Sequence, residues 1–442
     1  MHILVLVDHK WRDLPCQVRL QLLAERRGHR VSFVRNGFHW DAAWAQRPDV
    51  LVLNHLLEAS SVAEARRLAD AGIATVVLPT EGIPTLQGTR DLHAGAGQDY
   101  SGVARFCVWN EVMRERMVSN HVMPAERICV IGVPRFDFYV PPFSTILPSR
   151  DAVCRRFGLD PAKPVLLWAT NFAQAAVWER DAEFSKRDWN KVGLQRVLGD
   201  CEAFARGDLA CRAASLAVIK TVLERHPDWQ VLVKLHPSEN VLWYRDQMAS
   251  LPSGRAALVD AAYIWEVLPA ANVLVKRSCT TGVEAWIRGQ STIELQPLPE
   301  RTYFSAEHAS GSVIATTADE LERHVTATLA GTPESPEILA ARQTFIARWC
   351  YRADGRSTER SLDVLDELAA ERRANGVVPR GGSRGFVKWL RYRVLTACDH
   401  VLHDRRLYGW SGRLDRLGRI DKWYRHADAL AWRERLAPFV PR

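Results

Sequence analysis

The nine cysteines of this 442-residue chain form no Cys-x-x-Cys pair and are odd in number. This argues against a disulfide framework, offers no zinc-ligand spacing, and fits a reducing cytoplasm. Long apolar runs are missing too: none approaches the roughly 18 residues that a membrane span needs. The chain opens directly on Ile3-Leu4-Val5-Leu6-Val7, with no basic segment ahead of it. That run therefore reads as a buried first strand rather than as a signal peptide. No Gly-rich run ends in Gly-Lys-Ser/Thr, so a Walker-type phosphate loop is excluded. No Asp-x-Asp stands at an expected strand end, and His9, His55, His93 and His121 lack ligand-like spacing. No metal or other cofactor is expected, and these histidines read as isolated polar groups.

What is present is globular in character. Hydrophobic residues make up 47% and charged residues 25% of a chain too long for one ordinary core, so two domains are expected. The net charge of +8 is uneven: residues 371–442 hold 17 Lys/Arg against 7 Asp/Glu, which leaves −2 for the rest.

The first 140 residues alternate short apolar runs with helical periodicity. Ile3–Val7, Val31–Val34, Val50–Asn54, Ala74–Leu78, Arg105–Trp109 and Ile128–Ile131 read as strands, and Gln17–Arg27 and Val62–Ala71 as helices. That rhythm predicts βαβ units on a parallel sheet. Residues 80–101 predict a long functional loop. The prolines of 141–161 predict a linker. A second series follows in 162–335, with strands at Val165–Ala169, Gln230–Leu235, Ala257–Val259, Val273–Val275, Thr292–Leu295 and Val313–Ala315. Helices are expected over 209–226, 263–270, 281–289 and 318–329, while 170–205 carries no clear pattern. Helices in 336–375 are expected to cross back to the first domain, and 376–442 reads as a basic amphipathic extension. The predicted fold class is α/β, with two Rossmann-like doubly wound domains facing a cleft.

In such sheets ligands bind at the carboxyl ends of strands, where helix N-termini offer N–H groups to phosphates. Four clusters stand there. Lys234, His236, Ser238 and Glu239 follow one strand and suit a nucleotide phosphate or ribose; a turn with solvated charges would look alike. Arg277, Ser278, Thr280, Thr281, Gly282 and Glu284 follow another. Arg277 supplies charge, the hydroxyls cap or donate, Gly282 admits backbone, and Glu284 suits a ribose hydroxyl. A capped helix with an acidic first turn is the alternative. Glu81 and Gly82, heading the long loop, offer a carboxylate as general base or nucleophile, or else a solvated turn. Asn171 suits a diphosphate or sugar, or a helix cap.

Taken in order, these clusters carry a resemblance. Glu81-Gly82-Ile83, Val108-Trp109-Asn110-Glu111 and Ile131-Gly132-Val133-Pro134-Arg135-Phe136-Asp137 come first. Ala169-Thr170-Asn171-Phe172, Lys234-Leu235-His236-Pro237-Ser238-Glu239-Asn240 and Cys279-Thr280-Thr281-Gly282-Val283-Glu284-Ala285 follow. Over residues 74–300 the chain resembles the bacterial surface carbohydrate biosynthesis protein family, which looks like a branch of the two-domain GT-B-type glycosyltransferases. The family often has Arg and Pro at Lys234 and Leu235, and Gly at Asn110.

The resemblance implies a nucleotide-activated sugar held by the second domain and a glycan or lipid-linked acceptor facing the first. The chain also looks distantly similar to transferases of CMP-linked acidic sugars, which favours such a donor and gives Glu81 a catalytic role. Trp109, Glu111 and Arg135 join Gly82 as further cleft candidates. A polyol-phosphate transferase, a nucleotide-sugar epimerase and a non-catalytic sugar-binding scaffold are the alternatives. The cations interleaved with Leu, Trp and Tyr in 384–425 suit an anionic membrane surface; the alternative is a solvated extension or an oligomer contact. Nucleic acid is not an expected partner. A cytoplasmic protein, peripheral on the membrane's inner face, is the expected setting.

Overall fold

The computed structural model describes residues 1–236, 238–259, 262–298, 305–380, 386–397 and 422–440. The chain divides into two compact units. Unit 1 comprises Met1–Gly82, Arg90–Pro142 and Trp349–Arg442, and unit 2 comprises Ile83–Thr89 and Phe143–Arg348. Both are α/β, each built on a parallel sheet of six strands among the described residues, as the strand–helix rhythm requires.

In unit 1 the strands are β1 (His2–Val7), β2 (Arg30–Arg35), β3 (Val50–Leu53), β4 (Ala74–Val77), β5 (Arg105–Val108) and β6 (Ile128–Val130). They lie in the order β2-β1-β3-β4-β5-β6. Ile3 on β1 stands opposite both Val31 and Val50. Continuous apolar runs such as Val50–Leu53 are buried along their whole length, because a parallel sheet has both faces covered. One face packs Leu4, Leu6, Leu51 and Leu53 against Leu68, Met113 and Met117. The other packs Ile3, Val5, Val50 and Val52 against Leu20, Leu362, Leu365 and Leu368.

Unit 2 has β7 (Val165–Ala169), β8 (Gln230–Lys234), β9 (Ala256–Val259), β10 (Val273–Lys276), β11 (Thr292–Leu295) and β12 (Val313–Ala315). Their order is β12-β11-β10-β7-β8-β9. Its core joins Trp168, Val231, Val233 and Val275 to Ile219, Leu223 and Leu321.

Several elements differ from expectation. The first helix runs Lys10–Arg26, with Pro15 inside it, because His9 Nδ1 accepts from Trp11 N at 3.1 Å and caps an earlier start. The loop 80–101 contains a helix, Gln87–His93. Residues 170–205 fold as helices Ala173–Arg180, Ala182–Lys191 and Gln195–Leu198, and the long helix begins at Cys201 rather than 209. Asp181 ends one helix and caps the next, accepting from Phe184 N at 2.8 Å.

The segment after residue 349 folds with unit 1 through a buried carboxylate. Asp137 Oδ1 accepts from Ser357 N at 3.0 Å, and its Oδ2 accepts from Thr358 N at 2.9 Å and Thr358 Oγ1 at 2.8 Å. It thereby satisfies orphan donors at the start of the helix Ser357–Ala374. The same carboxylate pairs with the buried Arg19. Gly132 sits at φ +81°, where a Cβ would lie 2.8 Å from Ser357 Oγ. The stretch Gly132–Asp137 is thus built to receive this helix. Farther on, the helix Phe386–Ala397 packs Trp389 against the first core face. Residues 381–385, 398–421 and 441–442 of the expected basic extension lie outside the described residues.

Candidate functional site

In a doubly wound sheet the ligand crevice opens where the strand order reverses. In unit 2 that point lies between β7 and β10, and the loops after β7, β8 and β10 are tied together there. Asn171 Nδ2 donates to Arg277 O at 3.2 Å, and Arg277 Nη1 donates to Asn171 O at 2.6 Å. His236 N donates to Thr170 Oγ1 at 3.1 Å, and Phe172 N donates to Glu239 Oε1 at 2.5 Å. Asn171, His236, Glu239, Arg277 and Ser278 therefore belong to one network.

Burial sorts its members. Arg277 is buried and pairs with Asp208 at 2.8 Å. Glu239 is buried as well, and burial pushes its carboxyl up to about 7. Ser278, at φ +32°, turns its N and Oγ onto Glu294 Oε1 at 2.6 and 2.9 Å. Glu284 is also enclosed. Asn171, Lys234, His236, Ser238, Thr280 and Thr281 keep partial exposure, so they form the part of the cluster open to a ligand. The helix Thr280–Ile287 starts from Cys279, in extended backbone at its N-cap.

Beneath this loop lies a pair that composition did not announce. Lys276 and Glu294 are fully buried, 2.6 Å apart, and Lys276 Nζ also donates to His308 O at 2.7 Å. Burial raises the Glu294 carboxyl, but Lys276 and the donors around it outweigh that and hold it below the usual range. Gly282 was expected to admit a ligand, yet its missing Cβ makes room for Lys276, whose Cε would lie 2.4 Å from it.

In unit 1 the strand order reverses between β1 and β3. A cavity of about 220 Å³ stands there, lined by Asp8, Arg12, Asn54, His55, Glu81, His93 and the apolar side chains Leu56, Val77, Phe106, Val108 and Met113. The turn that carries Glu81 is held by three side chains. Trp109 Nε1 donates to Pro79 O at 2.9 Å, Arg135 Nη1 to Thr80 O at 3.3 Å, and Asn110 Nδ2 to Gly82 O at 3.0 Å. Asn110 Oδ1 also accepts from Met113 N at 2.9 Å and caps the helix Glu111–Ser119. A Cβ on Gly82 would stand 2.5 Å from the Trp109 ring. Gly82, Trp109 and Arg135 thus act through the backbone that presents Glu81, whose side chain is 66% exposed.

Arg12 gathers three carboxylates, at 2.7 Å from Glu81, 2.9 Å from Asp8 and 2.7 Å from Asp13. Burial opposes its charge, and Asp13, Glu81 and Asp8 outweigh burial. Burial holds the His93 imidazole below its ordinary pKa, in the neutral form at pH 7. Glu111 is not among the lining residues; it is exposed, 3.8 Å from Arg114.

Asp8, Arg12, Asn54, His55 and His93 were missed as site residues. Asp8, Asn54 and His55 follow β1 or β3 directly and Arg12 lies in the first turn of the helix after β1, a signal that becomes usable once the strand order is known. His93 arrives on the helix hidden in the loop 80–101. Among the described residues no group of three His, Cys, Asp or Glu is placed to hold a metal ion, and no helix is long and apolar enough to cross a membrane.

No family model matches this chain, and no curated protein matches it. Solved structures do. The UDP-GlcNAc 2-epimerase of Methanocaldococcus jannaschii, in complex with UDP-GlcNAc and UDP, superposes with a TM-score of 0.54 at 12% identity, over 83% of this chain and 100% of that one. The S. aureus MnaA–UDP structure gives 0.52 at 9%, over 86% and 98%. The UDP-GlcNAc 2-epimerase of Neisseria meningitidis, bound to UDP-GlcNAc, gives 0.50 at 11%, over 83% and 100%. At these identities the likeness is one of fold.

Proposed function

We propose that this chain is an enzyme of nucleotide-activated sugars and, within that class, a glycosyltransferase of surface polysaccharide assembly. Unit 2 holds the nucleotide and unit 1 handles the acceptor. The observation that carries the reading is Glu81, a carboxylate fixed by three backbone clamps in a cavity at a strand-order reversal. A positioned carboxylate removes a proton from an acceptor hydroxyl as that oxygen bonds to the anomeric carbon. The bond from that carbon to the nucleotide phosphate breaks in the same step. Within unit 2, Lys234, His236 and the N–H groups opening Thr280–Ile287 suit the nucleotide phosphate, which departs with the nucleotide. Arg12 orients the carboxylate through its 2.7 Å contact.

The fold likeness to UDP-GlcNAc 2-epimerases supports a second reading. There the carboxylate and imidazoles of unit 1 move protons on the donor's own ring, and no acceptor is needed. A thermal-shift panel of CMP, CDP, UDP, GDP and their sugar forms tests the shared premise, since a ligand of the folded state raises its melting temperature. A shift with one nucleotide, lost in Lys234→Ala or Asn171→Ala, supports unit 2 as the nucleotide site. No shift with any of them refutes both readings. Incubation with the shifting nucleotide-sugar alone then separates them: an epimerase inverts a ring carbon, and a transferase leaves the sugar unchanged.

The helix Phe386–Ala397 supports a membrane-borne acceptor. Trp389 of Phe386–Ala397 faces the unit 1 core, while Phe386, Val387, Leu390 and Val394 are at least half exposed. An apolar stripe within a segment of 17 Lys/Arg against 7 Asp/Glu suits an anionic lipid surface.

A further inference from the structure

Asn54 is 2% exposed, lines the unit 1 cavity, and has no hydrogen-bond partner among the described residues for either its Nδ2 or its Oδ1. Buried side-chain amides are ordinarily satisfied, and one left open at both ends on a cavity wall calls for a ligand. An amide edge offers one donor and one acceptor side by side; a trans acylamino N–H can donate to the Oδ1 while the Nδ2 donates to the neighbouring ring hydroxyl, so an acylamino sugar satisfies both ends. Besides the imidazoles of His55 and His93 and the side chains of Thr80 and Trp109, the rest of the wall is mainly of two kinds. Leu56, Leu57, Val77, Phe106, Val108 and Met113 supply an apolar surface suited to a methyl group. Asp8 and Glu81 supply carboxylates, and Arg12, the cation on this wall, already serves those two and Asp13. A further anion brought into this cavity would meet two carboxylates and an Arg12 that is already shared among three.

We infer that the cavity of unit 1 is a subsite for an uncharged N-acylamino sugar ring, with Asn54 pairing to the acylamino group, the apolar wall receiving its methyl, and acidic sugars excluded. The inference rests on the reading of unit 1 as the acceptor side and names the class of acceptor that Glu81 would deprotonate. Its recognition logic is that of a polar pocket: a site built to hydrogen-bond a group rejects the analogue that lacks it, because the buried amide is then left open.

Saturation-transfer NMR on the full-length protein tests it directly. The probes are the methyl glycosides of N-acetylglucosamine, glucose and glucuronic acid. The N-acetyl methyl is expected to take the strongest saturation, with glucose at least tenfold weaker and glucuronic acid giving no transfer. Asn54→Ala should weaken the N-acetyl sugar at least tenfold with the melting temperature retained. If that variant does not fold, the preference of the wild-type protein among the three probes decides alone. Equal transfer to glucose, stronger transfer to glucuronic acid, or an Asn54→Ala protein that binds unchanged would overturn the inference. Nucleotide binding, read separately by thermal shift, keeps the two claims apart. A nucleotide shift without N-acetyl transfer sinks this subsite and leaves the enzyme class standing. Transfer without any nucleotide shift does the reverse.

Discussion

Lys276→Met asks whether the loop after β10 depends on a buried charge pair. In the native protein Glu294 Oε2 takes Lys276 Nζ at 2.6 Å, and its Oε1 takes Ser278 N, Ser278 Oγ and Gln296 Nε2 at 2.6, 2.9 and 3.0 Å. Both partners are fully buried, so removing the ammonium leaves a carboxylate without water or counter-charge. Breaking such a pair from one side costs about 3–5 kcal/mol. The cost depends on pH. The native Glu294 carboxyl lies below its unfolded value, so its contribution is present above that value and is lost as pH falls through the native one. In the variant the carboxyl rises above its unfolded value, and the folded state then binds the extra proton. The variant therefore loses stability as pH rises from about 4.5, the unfolded carboxylate value. The deficit should be widest near pH 8 and should narrow toward pH 5. Hydrogen exchange of peptides covering Val273–Leu295 reads this unit by itself, and Lys276→Met/Glu294→Gln should recover most of the protection. A deficit under about 1 kcal/mol at pH 8, or one independent of pH, refutes the reasoning.

Other expected outcomes follow from the same physics. Glu239→Gln keeps the acceptor for Phe172 N and removes a carboxyl that burial has pushed up to about 7. Its native pKa lies above the unfolded one, so the wild type loses stability as pH rises from 4.5 to 7, and the variant should gain by about 3 kcal/mol at pH 8 and by nothing at pH 4. Denaturant melts at the two pH values check this. Asp137→Ala removes the cap of Ser357–Ala374 and takes from the buried Arg19 its nearest carboxylate, leaving Glu359 at 3.4 Å, so about 3–5 kcal/mol should be lost in a calorimetric melt of unit 1. Gly82→Ala forces a Cβ onto the Trp109 ring. It should destabilise by about 1–3 kcal/mol, measured by denaturant melt, and lower turnover by shifting Glu81. A chain ending at residue 375 should lose co-sedimentation with anionic vesicles while its nucleotide shift is unchanged.

The strands were legible because each is a short apolar, β-branched run between helical periodicity and a Gly or polar stop. Ile3–Val7 and Val165–Ala169 need no tertiary information. The helices of 170–205 were hidden because Ala182–Lys191 is mostly polar and begins at a cap, Asp181, shared with its predecessor. Residues directly after β4, β7, β8 and β10 were found, since local order places them; those after β1 and β3 were not. What they face was not legible. Arg277 reads as a free cation in sequence, and only folding brings Asp208 to it. Gly282 reads as a glycine that admits backbone, and only the packed Lys276 shows what its missing Cβ accommodates. The unit 1 cavity gathers residues from five separate stretches, from Asp8 to Met113. That gathering is set by a strand order no single-sequence pattern records.

The most direct test of the enzyme assignment is Glu81→Gln, assayed with the nucleotide-sugar and acceptor that the wild-type protein uses. The account predicts turnover lower by about 10²–10⁴, the usual contribution of a positioned general base, with nucleotide affinity unchanged. Unchanged turnover, or turnover and nucleotide binding lost together, would contradict it.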